Sequence, residues 1–130
     1  MKTLTIQDET ATGKILNQLL LEVQNEITTV REIIKARVYQ EVEAYNERLP
    51  EYFNGLIQPT DTERELNGYK LKTRRTIDPE KQYYVALDAF QKNGYFVLVD
   101  NQQAEALDQE ILVTDHTTVS FVKLTPLVGG

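Results

Sequence analysis

The segment Thr29-Val30-Arg31-Glu32-Ile33-Ile34-Lys35-Ala36-Arg37 marks a change in the spacing of hydrophobic residues. Before it they recur at every second position, and from it onward they recur at every third or fourth position. Thr29 and Glu32 form a capping box, in which the Thr oxygen and the Glu carboxylate each accept a backbone N–H at the start of a helix. Pro50 disfavours helical geometry at the residue before it, so we predict a helix from Thr29 to near Arg48. One apolar stripe follows this helix, because its members are mostly three or four residues apart: Val30, Ile33, Ile34, Val38, Val42 and Tyr45.

Two strands are predicted before this helix. Residues 2–7 alternate, with Leu4 and Ile6 on one face, which is typical of a half-buried strand. Residues 8–13 are polar and have the length of a hairpin connection. The alternation returns over residues 15–23, so this part of the chain predicts an antiparallel β-hairpin packed on the helix. The apolar face of the second strand is formed by Ile15, Leu19, Leu21 and Val23.

A second helix is predicted further along the chain. Asp78-Pro79 supplies an N-cap and a first-turn proline, and Gly94 suits a C-terminal cap, which favours a helix over about 79–92. Residues 52–75 have no sustained period. We therefore interpret residues 49–93 as an insertion, a satellite that combines this helix with mobile, irregular chain.

The C-terminal part predicts further strands. Residues 95–99 form a short β-rich segment closed by the turn-favouring pair Asp100-Asn101. The last strand is expected over residues 117–124, and residues 125–130 should project as a tail, since Pro126 cannot donate to a strand ladder. The sequence thus predicts a single α+β domain over residues 1–130.

Composition excludes several classes of chemistry. The chain of 130 residues has no cysteine, so it holds no thiol nucleophile, disulfide or zinc-thiolate site, and a lone His116 cannot build a multi-histidine metal site. A net charge of −6 makes nucleic acid a poor partner. No segment approaches the roughly 20 apolar residues of a membrane span, and the N-terminus lacks a secretory signal pattern. We predict a cytoplasmic protein.

Two segments of the chain resemble ubiquitin and its β-grasp relatives. The first runs from Leu4 through Gly13-Lys14-Ile15 into the helix that starts at Thr29. The second runs from Tyr95-Phe96-Val97-Leu98-Val99-Asp100 through Thr118-Val119-Ser120-Phe121-Val122-Lys123-Leu124 to Gly129-Gly130. The resemblance covers a little over half of the chain and implies a ubiquitin-like β-grasp fold, in which a mixed sheet of four or five strands wraps the first helix. Residues 49–93 would be inserted between this helix and the third strand.

The resemblance implies a protein modifier whose reacting residue is Gly130, preceded by Gly129. A partner activating enzyme would use ATP to adenylate the Gly130 carboxylate, a conjugating enzyme would carry it to target amines, and a protease would remove it. The chain itself would be no enzyme and would need no cofactor. Glycines suit this role, because they enter a narrow catalytic channel without a Cβ clash. Tail recognition would involve Thr125, Pro126, Leu127 and Val128.

The tail departs from that of ubiquitin. Pro126 and Val128 stand where ubiquitin has arginines, so enzymes that read those arginines should not accept it. This departure and the insertion favour a bacterial ubiquitin-like protein with its own partner enzymes. The resemblance also suggests a partner surface on the last strand, formed by Val122 and Leu124.

Two other function classes stay open. Sulfur carriers of thiamine and molybdopterin synthesis also end in Gly-Gly, but they carry a thiocarboxylate and are typically smaller. A β-grasp module can also simply dock partners.

For His116, a position in a solvated turn is the favoured interpretation. The chain has seven tyrosines, which could form a binding surface, but a core position is favoured because aromatic residues at helical spacing are more often in the core. They include Tyr39, Tyr45, Tyr52, Tyr83 and Tyr84.

Overall fold

The computed structural model describes residues 2–48 and 77–123. Within these ranges two helices and seven strands follow one another along the chain. In order they are β1 (Lys2–Thr10), β2 (Ile15–Val23), β3 (Ile27–Thr29), α1 (Val30–Arg48), α2 (Pro79–Gln91), β4 (Tyr95–Val99), β5 (Gln102–Ala104), β6 (Glu110–Leu112) and β7 (Thr118–Lys123).

Five strands form one mixed sheet in the order β2-β1-β7-β4-β5. β1 is antiparallel to β2 and parallel to β7, whereas β4 is antiparallel to both of its neighbours. A separate antiparallel pair joins β3 to β6. Asp100 and Asn101 connect β4 to β5 with positive φ angles of 49° and 69°, as a tight turn between twisted strands requires. The predicted α+β class, mixed sheet and Asp100-Asn101 turn are confirmed.

The first hairpin contains a β-bulge that the sequence does not reveal. Asp8 pairs with Asn17 but Glu9 pairs with Ile15, so Leu16 is an extra residue in β2. β1 continues past the predicted end at Gln7, since its last residues pair with β7. A bulge changes the face on which the following side chains lie. The prediction that Ile15 shares the inner face of β2 is therefore wrong, and its side chain is 50% exposed.

Helix α1 begins as the capping box predicts. The Glu32 N–H donates to Thr29 Oγ1 at 3.2 Å, and the helix runs to Arg48. Every residue of the predicted apolar stripe is buried, and the same core includes Leu4, Ile6, Leu21 and Phe121 from the sheet. Within the described ranges, no helix is long and apolar enough to cross a membrane.

Truncation of Ile34 tests this packing. Ile34 is completely buried between α1 and the sheet, so Ile34→Ala is expected to lower the free energy of unfolding by about 2–5 kcal/mol. Leu112→Ala is the control, because Leu112 is 61% exposed. Denaturant titrations of both variants measure the difference. A loss at Ile34 below about 0.5 kcal/mol, the range of surface substitutions, would show that the helix face is assigned wrongly.

Helix α2 lies where Asp78-Pro79 predicts it. Asp78 caps its first turn by accepting the Glu80 N–H at 3.0 Å. At the other end the left-handed residue is Asn93 (φ 60°), not Gly94, and the Gly94 N–H closes the helix on the Ala89 carbonyl at 2.7 Å. Its apolar face joins the main core through Ala86, Leu87 and Phe90.

The interpretation of residues 49–93 as a satellite is therefore wrong for α2. This helix packs against α1 and shares one core with the sheet, because its apolar stripe is buried there. The irregular chain predicted over residues 52–75 lies outside the described residues. So does the predicted tail, residues 125–130.

Candidate functional site

Strand β7 is the element that leads to the predicted reactive tail. It lies between β1 and β4, pairs with both over its length, and contributes the completely buried Val119 and Phe121 to the core. A strand held on both sides is a rigid support for the segment that follows it. Leu124, predicted as the end of the last strand and as part of the partner surface, lies outside the described part of the chain. So do the predicted tail residues, which are Thr125, Pro126, Leu127, Val128, Gly129 and Gly130.

Val122 lies on the predicted face of β7 but is not exposed there. Its parity is opposite to that of Val119 and Phe121, so it lies on the sheet face away from α1. Its exposed fraction is only 8%, between the paired residues Glu9 of β1 and Phe96 of β4. The expectation that Val122 is an exposed partner contact is wrong in this respect, because β7 is a central strand whose side chains are flanked on both sides.

A buried ion cluster lies under β7. Arg37 of α1 is 1% exposed and donates two hydrogen bonds to the Asp8 carboxylate of β1, at 2.5 and 2.7 Å. Its Nε donates to Glu41 Oε1 at 2.8 Å, one turn further along α1. Arg37 Cζ also lies 4.5 Å from the centroid of the Phe121 ring, which adds a cation–π contact. The cluster therefore ties α1, β1 and β7 together.

The two carboxylates keep the guanidinium charged inside the protein. Burial lowers the pKa of Arg37, but its hydrogen bonds to Asp8 and the charges of Glu41 and Asp8 outweigh burial. The pKa of Arg37 is therefore raised above its ordinary value. Asp8 and Glu41 are 6% and 8% exposed, so all three charges are largely removed from water. Such a cluster is stable only while every partner is present.

This cluster was not predicted from the sequence, although a signal for it exists. Arg37 follows Ile33 by four residues and Ile34 by three, so it lies on the buried stripe of α1. Glu41 follows Arg37 by four residues on the same face. A charged pair on an otherwise apolar stripe indicates a buried ion pair. The partner Asp8 belongs to residues 8–13, which the sequence predicts as a hairpin connection.

A second buried polar contact lies beside the cluster. The Tyr95 hydroxyl donates to the Ala86 carbonyl of α2 at 2.7 Å, and its ring contacts Phe121 with centroids 5.7 Å apart. Burial raises the pKa of Tyr95 above its ordinary value, so the hydroxyl stays neutral and remains a donor. This bond joins α2 to β4, which is the strand next to β7.

Comparison with protein-family models, curated proteins and solved structures finds no match to this chain. The site is therefore defined by geometry alone. No three His, Cys, Asp or Glu side chains among the described residues are grouped as a metal site would require.

The predictions for His116 and for the tyrosines are confirmed in some cases and wrong in others. His116 lies in an exposed turn, where its N–H donates to Thr114 Oγ1 at 3.1 Å, as predicted. Tyr45 is 1% exposed and belongs to the core. Tyr39 and Tyr84 are 38% and 59% exposed, so a core position is wrong for both. Tyr83 is half-buried, and Tyr52 lies outside the described residues.

Proposed function

We propose that this protein is a ubiquitin-like modifier with a β-grasp fold, activated at Gly130 and transferred to amines of target proteins. The observation that carries the proposal is the order of the sheet, β2-β1-β7-β4-β5, with β1 and β7 parallel at its centre. This order and these directions are compatible with a β-grasp in which the last strand leads to the reactive tail. Helix α2 and residues 49–76 would then be the inserted part.

The proposed chemistry places every catalytic group on partner enzymes. The Gly130 carboxylate attacks the α-phosphate of ATP in an activating enzyme, and pyrophosphate leaves. A cysteine thiol of that enzyme then attacks the acyl-adenylate, and AMP leaves as a thioester forms. A conjugating enzyme accepts the acyl group, and a target amine finally displaces the thiol to give an isopeptide bond. The reaction requires a free carboxylate at Gly130, either native or released by cleavage after it.

The contribution of this chain is presentation of the tail. β7 is held rigidly by β1, β4 and the Arg37 cluster, so the segment after Lys123 starts from a fixed position. Gly129 and Gly130 allow close approach to an enzyme channel, since glycine has no Cβ. Thr125, Pro126, Leu127 and Val128 would be read by the enzyme groove. Because Pro126 and Val128 are not arginines, we assign the protein its own bacterial activating enzyme, conjugating enzyme and protease, acting in the cytoplasm.

Intact-mass analysis of the protein from its native cells tests this function. We expect adducts in which Gly130 is joined to lysine amines of other proteins, seen as intact conjugates or, after tryptic cleavage at Lys123, as a remnant of residues 124–130 on the modified lysine. A protein in which one sulfur replaces one oxygen at the terminus would instead identify a sulfur carrier. Absence of both species in cells that express the protein would contradict conjugation and favour a docking module.

A further inference from the structure

Strand β2 is a long edge of the main sheet. It has nine residues, pairs with β1 on one side, and has no strand on its other side within the described residues. The opposite edge, β5, has only three residues. Leu20 of β2 is 64% exposed. A long edge strand with an exposed apolar side chain is a template for pairing with another strand.

The hydrogen bonds of the sheet show which residues of β2 face the open edge. The backbone N–H and C=O of Thr118 both bond to Asp100, toward the β4 side. In a strand the backbone N–H and C=O groups of successive residues point to opposite sides, so the odd-numbered residues of β7 bond to β1. In the parallel pair each of them bonds to the two neighbours of the β1 residue opposite it, and these neighbours are odd-numbered. The even-numbered residues of β1 therefore bond to β2. The even-numbered residues of β2 are therefore left for the open edge. Gln40 of α1 agrees, since its amide donates to the Leu20 carbonyl at 3.3 Å.

The bulge limits the length of β2 that can pair regularly. Leu16 is the extra residue, so an unbroken ladder extends only over residues 17–23. The midpoint of this range is Leu20, whose backbone groups face the edge. An antiparallel partner with the same sequence would therefore place Leu20 opposite its own copy.

We propose that two copies of this chain pair through their β2 edges, antiparallel, with Leu20 on the two-fold axis. The side chains in this register complement one another. On the outer face Leu20 meets Leu20 of the second copy, and Gln18 lies opposite Glu22, where its amide can donate to the carboxylate. On the inner face the half-buried Leu19 lies opposite Leu21. If the two β2 strands slid to the next hydrogen-bonded register in either direction, Leu20 would lie opposite the polar Gln18 or Glu22 of the second copy.

The Gln40 contact is compatible with this pairing. It is long at 3.3 Å and exposed, and a carbonyl oxygen accepts two hydrogen bonds. Gln40 can therefore keep its contact or swing away when a backbone N–H of the second copy arrives. The proposal is independent of conjugation at Gly130, since β2 lies at the sheet edge and β7 at its centre.

Sedimentation equilibrium of the full chain tests the association. We expect a reversible dimer between about 1 µM and 1 mM. Leu20→Arg should raise the dissociation constant at least about tenfold, because it places two cations together on the axis. Leu112→Arg is the matched control, since Leu112 is also an exposed apolar residue, on β6. A wild-type monomer throughout this range, or a dimer that Leu20→Arg does not weaken, would overturn the proposal.

Single-cysteine variants test the register, since the natural chain has no cysteine. Leu20→Cys should oxidise to a disulfide-linked dimer, because hydrogen-bonded antiparallel neighbours have Cα atoms about 5.5 Å apart, within disulfide range. Gln18→Cys should not, since its two copies would be about 14 Å apart along the strands. An equal mixture of Gln18→Cys and Glu22→Cys should form the mixed dimer. Equal oxidation of Leu20→Cys and Gln18→Cys would contradict the register. If β2 paired only with a peptide of another protein, and never with a second copy of this chain, self-association would be contradicted.

Discussion

Arg37→Met is expected to lower the free energy of unfolding by about 3–5 kcal/mol. The substitution keeps an apolar stem of similar length but removes the cation from which Asp8 and Glu41 both accept hydrogen bonds. A buried carboxylate that loses its cation keeps the cost of desolvation without that compensation. Chemical denaturation followed by circular dichroism measures the change.

Two controls separate the buried charge from general effects of substitution. Lys92→Met removes an exposed ion pair with Asp88 and should change stability by less than about 0.5 kcal/mol. The triple variant Asp8→Leu, Arg37→Met, Glu41→Leu removes all three charges and should recover most of the loss. If the triple variant were less stable than Arg37→Met alone, the hydrogen bonds of the cluster would contribute more to the free energy of unfolding than its charge balance does.

Gly129→Val is expected to slow thioester formation with the activating enzyme at least about tenfold. A β-branched side chain beside the reacting residue would clash with an enzyme channel that is shaped for glycine. We expect the variant to fold as the wild type does, since the sequence predicts that residues 125–130 project beyond the sheet. Timed quenching of the reaction, with the adduct separated without reductant, measures the rate.

Ala11→Val is the control for this experiment, because it also introduces a β-branched side chain but lies in the exposed turn between β1 and β2, away from the predicted tail. It should retain the wild-type rate, since surface substitutions of this kind have small effects. Wild-type rates for Gly129→Val would contradict the proposed demand for glycine. A lower thermal stability of Gly129→Val than of the wild type would show instead that the tail packs on the domain.

Local sequence patterns predicted the elements whose determinants are close together in the chain. The capping box at Thr29 and the apolar stripe after it fixed α1, and Asp78-Pro79 fixed α2. Asp100-Asn101 fixed a turn through two residues that tolerate positive φ. In each case a few neighbouring side chains and backbone groups decide the structure.

Features that depend on distant partners were missed. Asp8 is polar and looked like turn sequence, yet it extends β1 because Arg37 neutralises it inside the core. The bulge at Leu16 reversed the face expected for Ile15. β3 was not predicted, since its three residues are a strand only through pairing with β6. Burial of Val122 likewise depends on the two strands beside it.

The thiol-sensitive adduct with the cognate activating enzyme tests the central claim most directly. The full chain, the enzyme and ATP are mixed and separated on a non-reducing gel, beside a variant that lacks Gly130. The proposal predicts an ATP-dependent adduct that a thiol reductant releases and that disappears when Gly130 is deleted. An adduct equally abundant without Gly130 would contradict activation at this residue.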